Sequence, residues 1–254
     1  MKKISVTLCA LLFATGAHAS CYQQLKQRFP VAGTIVFGEM HGSAEIPQFV
    51  FDCAREFAAN KEQVRVFLEL PVSDNRNIEK FVRGEIGEDD VVRTRHWNGQ
   101  DGRASEAMLR LLRDLKTSGI PVSGFDMGAG ERDREKAMAR NFMGAYSRTG
   151  YNLVLVGNVH ARLVNGAPWG GNPDFVPFAK QLRDQGADLV SLDARYSSGS
   201  AWNCAPDCGV HPAMGGAVER NGADSAVVYS NQDPAFNGYF HVGSITASRP
   251  VHEK

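Results

Sequence analysis

Two hydrophobic strand-like runs in this chain lead into the same short pattern. Thr34-Ile35-Val36-Phe37 continues into Gly38-Glu39-Met40-His41, and Leu153-Val154-Leu155-Val156 continues into Gly157-Asn158-Val159-His160. Both read as strand, then Gly-x-x-His. In a parallel sheet, the loops leaving the carboxyl ends of the strands line the ligand crevice. A glycine there lets the backbone turn sharply and the histidine beyond it face the crevice. Other apolar runs end in the same way, at Glu69 after Val66-Phe67-Leu68, Asp126 after Gly124-Phe125, and Asp193 after Ser191-Leu192. Strands also end in polar residues simply because loops are wet. The set of acids and histidines nevertheless points to a polar site along one edge of an α/β sheet.

Strand patterns and amphipathic helix patterns alternate along the chain. The spacing predicts strands at 33–37, 64–70, 120–125, 151–156 and 187–192, with helices at 46–59, 74–82, 105–119, 131–148 and 175–185. Phe49, Val50, Cys53 and Phe57 carry the three-and-four spacing of a buried stripe. Asp74 is placed to cap its helix and Gly84 to end it. The stretch 94–103 is too polar and glycine-rich to be core, and 194–218 reads as loop. Short β segments are expected at 226–229 and 239–245. This alternation argues for a single α/β domain with a mostly parallel central sheet, helices on both faces, and a short antiparallel C-terminal edge. No Gly-x-Gly-x-x-Gly or Gly-Lys-Ser/Thr loop follows a strand, so a nucleotide cofactor is not expected.

The first 19 residues have the form of a secretory signal. Lys2 and Lys3 precede a mostly apolar stretch, and Ala17-His18-Ala19 is a small-x-small cleavage site. The expected mature domain is therefore 20–254, periplasmic or secreted, with no membrane span. A lipoprotein reading would place Cys21 at the new terminus, but His18 stands where an aliphatic residue is expected. The 28 basic and 28 acidic residues balance with no basic stripe, which disfavours nucleic acid as a partner. A small-molecule or peptide substrate fits better. Removing Cys9 with the signal leaves an even cysteine count in an exported chain, which favours disulfides. Proximity pairs Cys204 with Cys208, and Cys21 and Cys53 remain to pair with each other. A zinc site from Cys204, Cys208 and His211 is the rival to the first pair.

The chemistry-bearing residues fall into one group. Glu39 and His41 share a turn, and His160 joins them if the two Gly-x-x-His strands are neighbours. A carboxylate beside an imidazole fixes its tautomer and raises its basicity, preparing it as a general base for water. Glu69 would orient that histidine or carry a proton. The same side chains offer a rival chemistry, with a divalent metal on His41, Glu69 and His160. Asp126, Arg103 and Trp97 are candidate substrate-binding residues. Arginine suits a carboxylate or phosphate, and tryptophan an apolar or sugar ring. Ser43 follows His41-Gly42 but lies in no nucleophile elbow.

At these residues the chain resembles the superfamily joining erythromycin esterases, ChaN-type haem-binding proteins and the TraB and Tiki proteins. Gly38-Glu39-Met40-His41 with Glu45-Ile46-Pro47 resembles its first motif, and Phe67-Leu68-Glu69-Leu70-Pro71 the strand with its acid. Arg132-Asp133 with Met138-Ala139-Arg140-Asn141 resembles its Arg-Asp-x-x-Met-Ala-x-Asn helix, with one extra residue between the two halves. Gly157-Asn158-Val159-His160-Ala161 resembles its second histidine motif. The resemblance implies an EreA/ChaN-like fold, with His41 as the water-activating base and Glu39, Glu69 and His160 as its partners. It implies an exported hydrolase of ester or amide bonds, with a divalent metal if the Tiki branch is followed. The alternative is a ChaN-like periplasmic haem-binding protein without catalysis. The single residue between Glu39 and His41 is closer to the ChaN branch, and the large helical insertion of macrolide esterases is missing.

Overall fold

Alternate residues of each central strand face opposite cores. Ile35, Phe37, Val66, Leu68, Leu153 and Leu155 pack into one cluster, whereas Val36, Phe67, Val154 and Val156 pack into a second. A strand buried on both faces reads as a continuous apolar run, which is why these segments stand out in the sequence. The structure, a computed structural model, describes residues 20–128, 130–168, 170–214 and 226–253. The expected signal segment lies outside them.

The strands are β1 Gly33–Glu39, β2 Val64–Pro71, β3 Val122–Asp126, β4 Tyr151–Gly157, β5 Leu189–Arg195, β6 Ser200–Cys204, β7 Cys208–Pro212, β8 Val227–Tyr229 and β9 Gly238–His241. The helices are α1 Cys21–Arg28, α2 Glu45–Ala59, α3 Asn75–Val82, α4 Glu88–Val91, α5 Glu106–Thr117, α6 Arg134–Ala145, α7 Asn158–Ala161 and α8 Phe178–Asp184. A seven-stranded sheet runs in the order β3-β2-β4-β1-β5-β9-β8, and β6-β7 form a separate hairpin. Helices α2, α3 and α5 cover the first face, and α6 and α8 the second. Burying a side chain such as Phe57 of α2 contributes about 1.5–3 kcal/mol, and the two cores contain many of that size. A disulfide joins Cys21 of α1 to Cys53 of α2, with a Cα separation of 5.4 Å. No helix among the described residues is long and apolar enough to cross a membrane.

Several elements depart from their sequence reading. The segment 200–212 is a β-hairpin rather than loop, closed by a Cys204–Cys208 disulfide between directly opposed residues. Their Cα atoms are 3.7 Å apart, shorter than the usual 4.4–6.8 Å, because the pair faces across a tight turn. Both sulfurs are committed, so the zinc alternative with His211 has no thiolate to use. At the C-terminal edge, β9 pairs in parallel with β5, and only β8 runs antiparallel. Asp74 occupies the N-cap position of α3 without capping it. Its backbone is helical, and its carboxylate accepts a 2.7 Å hydrogen bond from Thr94 instead. The polar stretch 94–103 does enter the core: Trp97, in a 3-10 turn, is only 1% exposed.

Candidate active site

The strand order decides the site. β4 lies between β1 and β2, in parallel register with both, and β3 follows on the far side of β2. Four neighbouring strand ends therefore bring Asp126, Glu69, the Gly157–His160 turn and Glu39–His41 into one row. The two Gly-x-x-His patterns are adjacent because their strands are. Their glycines do not turn the chain sharply; Gly157, at φ −51° and ψ 137°, is an ordinary extended residue. Its role is close approach. A Cβ there would stand 2.7 Å from His41 Nε2 and 3.4 Å from Glu69 Oε2.

Glu39 and Glu69 clamp the His41 ring from its two sides. Glu39 Oε1 lies 3.0 Å from Nδ1, and Glu69 Oε2 lies 3.5 Å from Nε2. Burial by itself pushes the imidazole down, but the two carboxylates outweigh it and raise its pKa to about 10. That direction favours the imidazolium form of His41 at neutral pH. Glu69 is 2% exposed. Burial opposes its charge, yet His41, His160 and Arg134 hold it ionised, well below the usual carboxylate range. Its Oε2 also accepts the Gly157 N–H at 2.7 Å.

Arg134 is the centre of the second half of the site. Its Nε and Nη2 hold Asp126 at 2.9 and 2.7 Å, Nη2 also donates to Glu69, and Nη1 lies 3.0 Å from His160 Nε2. A guanidinium has five N–H donors. These contacts use four, and one Nη1 hydrogen has no partner among the described residues. Burial pulls its pKa down, but Asp126 and Glu69 outweigh that and hold the group charged, above the ordinary arginine range. Arg103 forks onto Asp101, placing Nε 2.8 Å from Oδ2, and reaches Asp126 at 3.5 Å and Glu69 at 3.7 Å. It enters the site already neutralised.

These groups floor a cavity of about 420 Å³ whose walls include Met40, Val159, Phe175 and Asn203. The β6–β7 hairpin forms one side. Trp202 N–H donates to Gly42 O at 2.9 Å, and its indole donates to Gln100 O at 2.8 Å. Gly42, at φ +72°, permits that contact, since a Cβ would meet the Trp202 carbonyl oxygen at 2.1 Å. Glu39, His41, Glu69, His160 and Arg103 all line the cavity, and Asp126 stands just behind Arg134. Trp97 does not line it, being packed in the core.

Sequence reasoning missed Arg134 and Glu135. The motif resemblance falls on Arg132-Asp133, yet the pair at the site is Arg134-Glu135. Counted from there, Arg-Glu-x-x-Met-Ala-x-Asn fits with no extra residue. Asp133 instead caps α6 by accepting from Lys136 N–H at 3.2 Å. Asn141 of the same motif ties α6 to the end of β3, donating to the Phe125 and Asp126 carbonyls at 3.3 Å each.

The residues do not fit a metal. Arg134 stands between Glu69, Asp126 and His160, where a divalent ion would have to sit. Among the described residues no group of three His, Cys, Asp or Glu side chains is arranged to hold one. Haem fits no better. The Nε2 atoms of His41 and His160 face Glu69 and Arg134, and no tyrosine lines the cavity.

No family model matches the chain, and neither does any curated protein sequence. Solved structures do. A succinoglycan biosynthesis protein matches at TM-score 0.66 and 9% identity, covering 90% of this chain and 92% of that one. A Bacillus cereus protein matches at TM-score 0.63 and 10% identity, covering 91% and 93%. The erythromycin esterase EreC, as a histidine-to-asparagine mutant in its open conformation, matches at TM-score 0.59 and 10% identity, covering 91% and 96%. At such identities the likeness speaks for architecture alone. The chain shares the fold of these three structures.

Proposed function

We propose that this protein is an exported hydrolase of ester or amide bonds. The observation that carries the reading is the Glu39–His41–Glu69 clamp beside an Arg134 with one unspent N–H, at the floor of an open cavity. Because His41 already carries its proton, Glu39 is assigned the proton of the attacking water. The water oxygen bonds to the substrate carbonyl carbon, and the developing oxyanion accepts the remaining Arg134 N–H. Preorganised donors of this kind typically supply a large share of the rate. Collapse breaks the bond to the leaving group, which takes the Nδ1 proton of His41 and leaves the ring neutral with its proton on Nε2. Glu39 returns its proton to Nδ1 through the 3.0 Å contact, and the pair is restored. Arg103 and Asp126 hold the floor in place, with no step assigned to metal or haem.

The test is a panel of esters and amides, with kcat/KM followed against pH. An acid role predicts a rate that falls as pH rises through about 10. A rate climbing to a plateau near that value would make His41 the base instead. Chelators should leave the rate unchanged. A protein inert to the whole panel would remove the proposal.

A further inference from the structure

Glu135 is a buried acid that the reaction above does not use. It sits on α6 next to Arg134, is 6% exposed, and spends one oxygen outside the site by accepting the Phe178 N–H of α8 at 2.8 Å. Its other oxygen, Oε1, lies 2.7 Å from His160 Nδ1, close but not aligned as a hydrogen bond. The opposite side of the same ring faces Arg134 Nη1 at 3.0 Å.

These two neighbours leave the ring one comfortable tautomer. A guanidinium can only donate, so Nε2 must present its lone pair to Arg134. A carboxylate can only accept, and at 2.7 Å it would repel a lone pair, so Nδ1 must carry the proton. A doubly protonated ring would set an N–H against the Arg134 donor. We propose that Glu135 is the positioning residue that fixes His160 as the Nδ1–H tautomer. Through that ring it sets the orientation of the Arg134 guanidinium in the cavity. With Nε2 accepting from one Nη1 hydrogen, and Glu69 and Asp126 holding the other side, the remaining Nη1 hydrogen has a fixed direction. Second-layer carboxylates orient histidines in this way at metal sites, and here the oriented cation is an arginine. The tautomer does not depend on the hydrolase reading; its kinetic consequence rests on it.

The experiment is nitrogen-15 NMR of histidine-labelled protein, with His160 assigned by its loss in His160→Gln. The wild-type ring should show a protonated Nδ1. In Glu135→Gln the carboxamide oxygen can keep the Phe178 hydrogen bond, while its NH₂ turns toward Nδ1 and drives the proton to Nε2, against Arg134. The tautomer should invert or become mixed, with melting temperature nearly unchanged. Glu135→Asp, which keeps the charge, should restore Nδ1–H in part. For a susceptible ester, kcat in Glu135→Gln should fall about 10-fold or more with KM little altered, the pattern of a lost transition-state contact. A wild-type Nε2–H ring, or a tautomer indifferent to Glu135→Gln, overturns the inference. So does an inverted tautomer with unchanged kcat. If no substrate is hydrolysed, the NMR result alone decides the tautomer, and the failure belongs to the proposed function.

Discussion

The same strands open onto a cavity at each end, and the larger one carries less chemistry. At the amino ends of β2, β3 and β4 a cavity of about 570 Å³ is lined by Lys61, Arg65, Ile120, Pro121, Tyr146 and Tyr151. At the carboxyl ends the cavity is about 420 Å³. Polar groups at the amino end are spent on holding the fold together. The Tyr151 hydroxyl donates to Phe29 O at 2.7 Å, Lys26 binds Glu62, and Arg65 donates to Ala145 O at 3.0 Å. At the carboxyl end, buried acids are balanced against arginines and histidines that still face open space. Volume does not separate the two; convergent charge does.

The largest expected effect tests that contrast directly. Arg134→Ala leaves Glu69 and Asp126 facing each other with their main counter-ion gone. Breaking such a buried network costs about 3–5 kcal/mol, and hydrolysis should fall by about 10³ through loss of the oxyanion donor. Arg65→Ala, at the other cavity, removes one hydrogen bond to a carbonyl and should change stability by about 0.5 kcal/mol or less, with activity unaltered. Urea denaturation and initial rates on both variants check this. Equal losses at the two ends would erase the distinction.

A second, smaller effect follows from the raised pKa of His41. Its proton is bound more tightly folded, at about 10, than in the unfolded chain, where histidine titrates near about 6.5. Its contribution to stability is complete below the unfolded value and is lost as pH rises through the folded one. The melting temperature of the wild type should therefore drop between pH 7 and pH 10. In His41→Gln the drop should be visibly shallower, while the rate falls about 10²-fold. Parallel pH curves for the two proteins would show that the clamp stores no such linkage.

How far the site was legible in the chain depends on what kind of signal each residue sends. Glu39, His41, Glu69 and His160 end apolar runs, and a run buried on both faces is the clearest strand pattern there is. That β1 and β4 are neighbours is set by crossover connections and non-local packing, so the sequence offers only the repeated motif as a hint. Trp97 was hidden by its company. The glycines and charges around it suggest a wet loop, yet Gly102 and Gly42 let Trp202 approach, and Trp97 itself is buried in the core. Arg134 and Glu135 sit among a string of charges from 131 to 136, all of which look solvent-facing. Only their place in the first turn of α6, held by Asn141 against β3, turns those two inward. The 200–212 hairpin has small and polar residues with a cysteine at each end of its turn, too little hydrophobic alternation to announce a strand.

The smallest expected effect belongs to the amino-end cavity and moves stability without touching chemistry. Helix α2 closes with the Glu62 N–H on Phe57 O at 3.1 Å and the Lys61 N–H on Ala58 O at 3.0 Å, the paired bonds of a Schellman ending. That ending needs a left-handed residue after the cap, and Lys61 fills it at φ +62°. A side chain in this region costs about 1–2 kcal/mol. Glycine would remove that cost but raise the entropy of the unfolded chain by about 0.4–1 kcal/mol. Lys61→Gly should therefore stabilise the protein by about 0.5 kcal/mol, read as a small rise in the urea midpoint at constant slope. The rate on any ester cleaved by the wild type should not change, since Lys61 lines the cavity at the opposite end of the strands from His41. A changed rate would mean that the two ends of the sheet are coupled, and the division between a structural cavity and a chemical one would have to be redrawn.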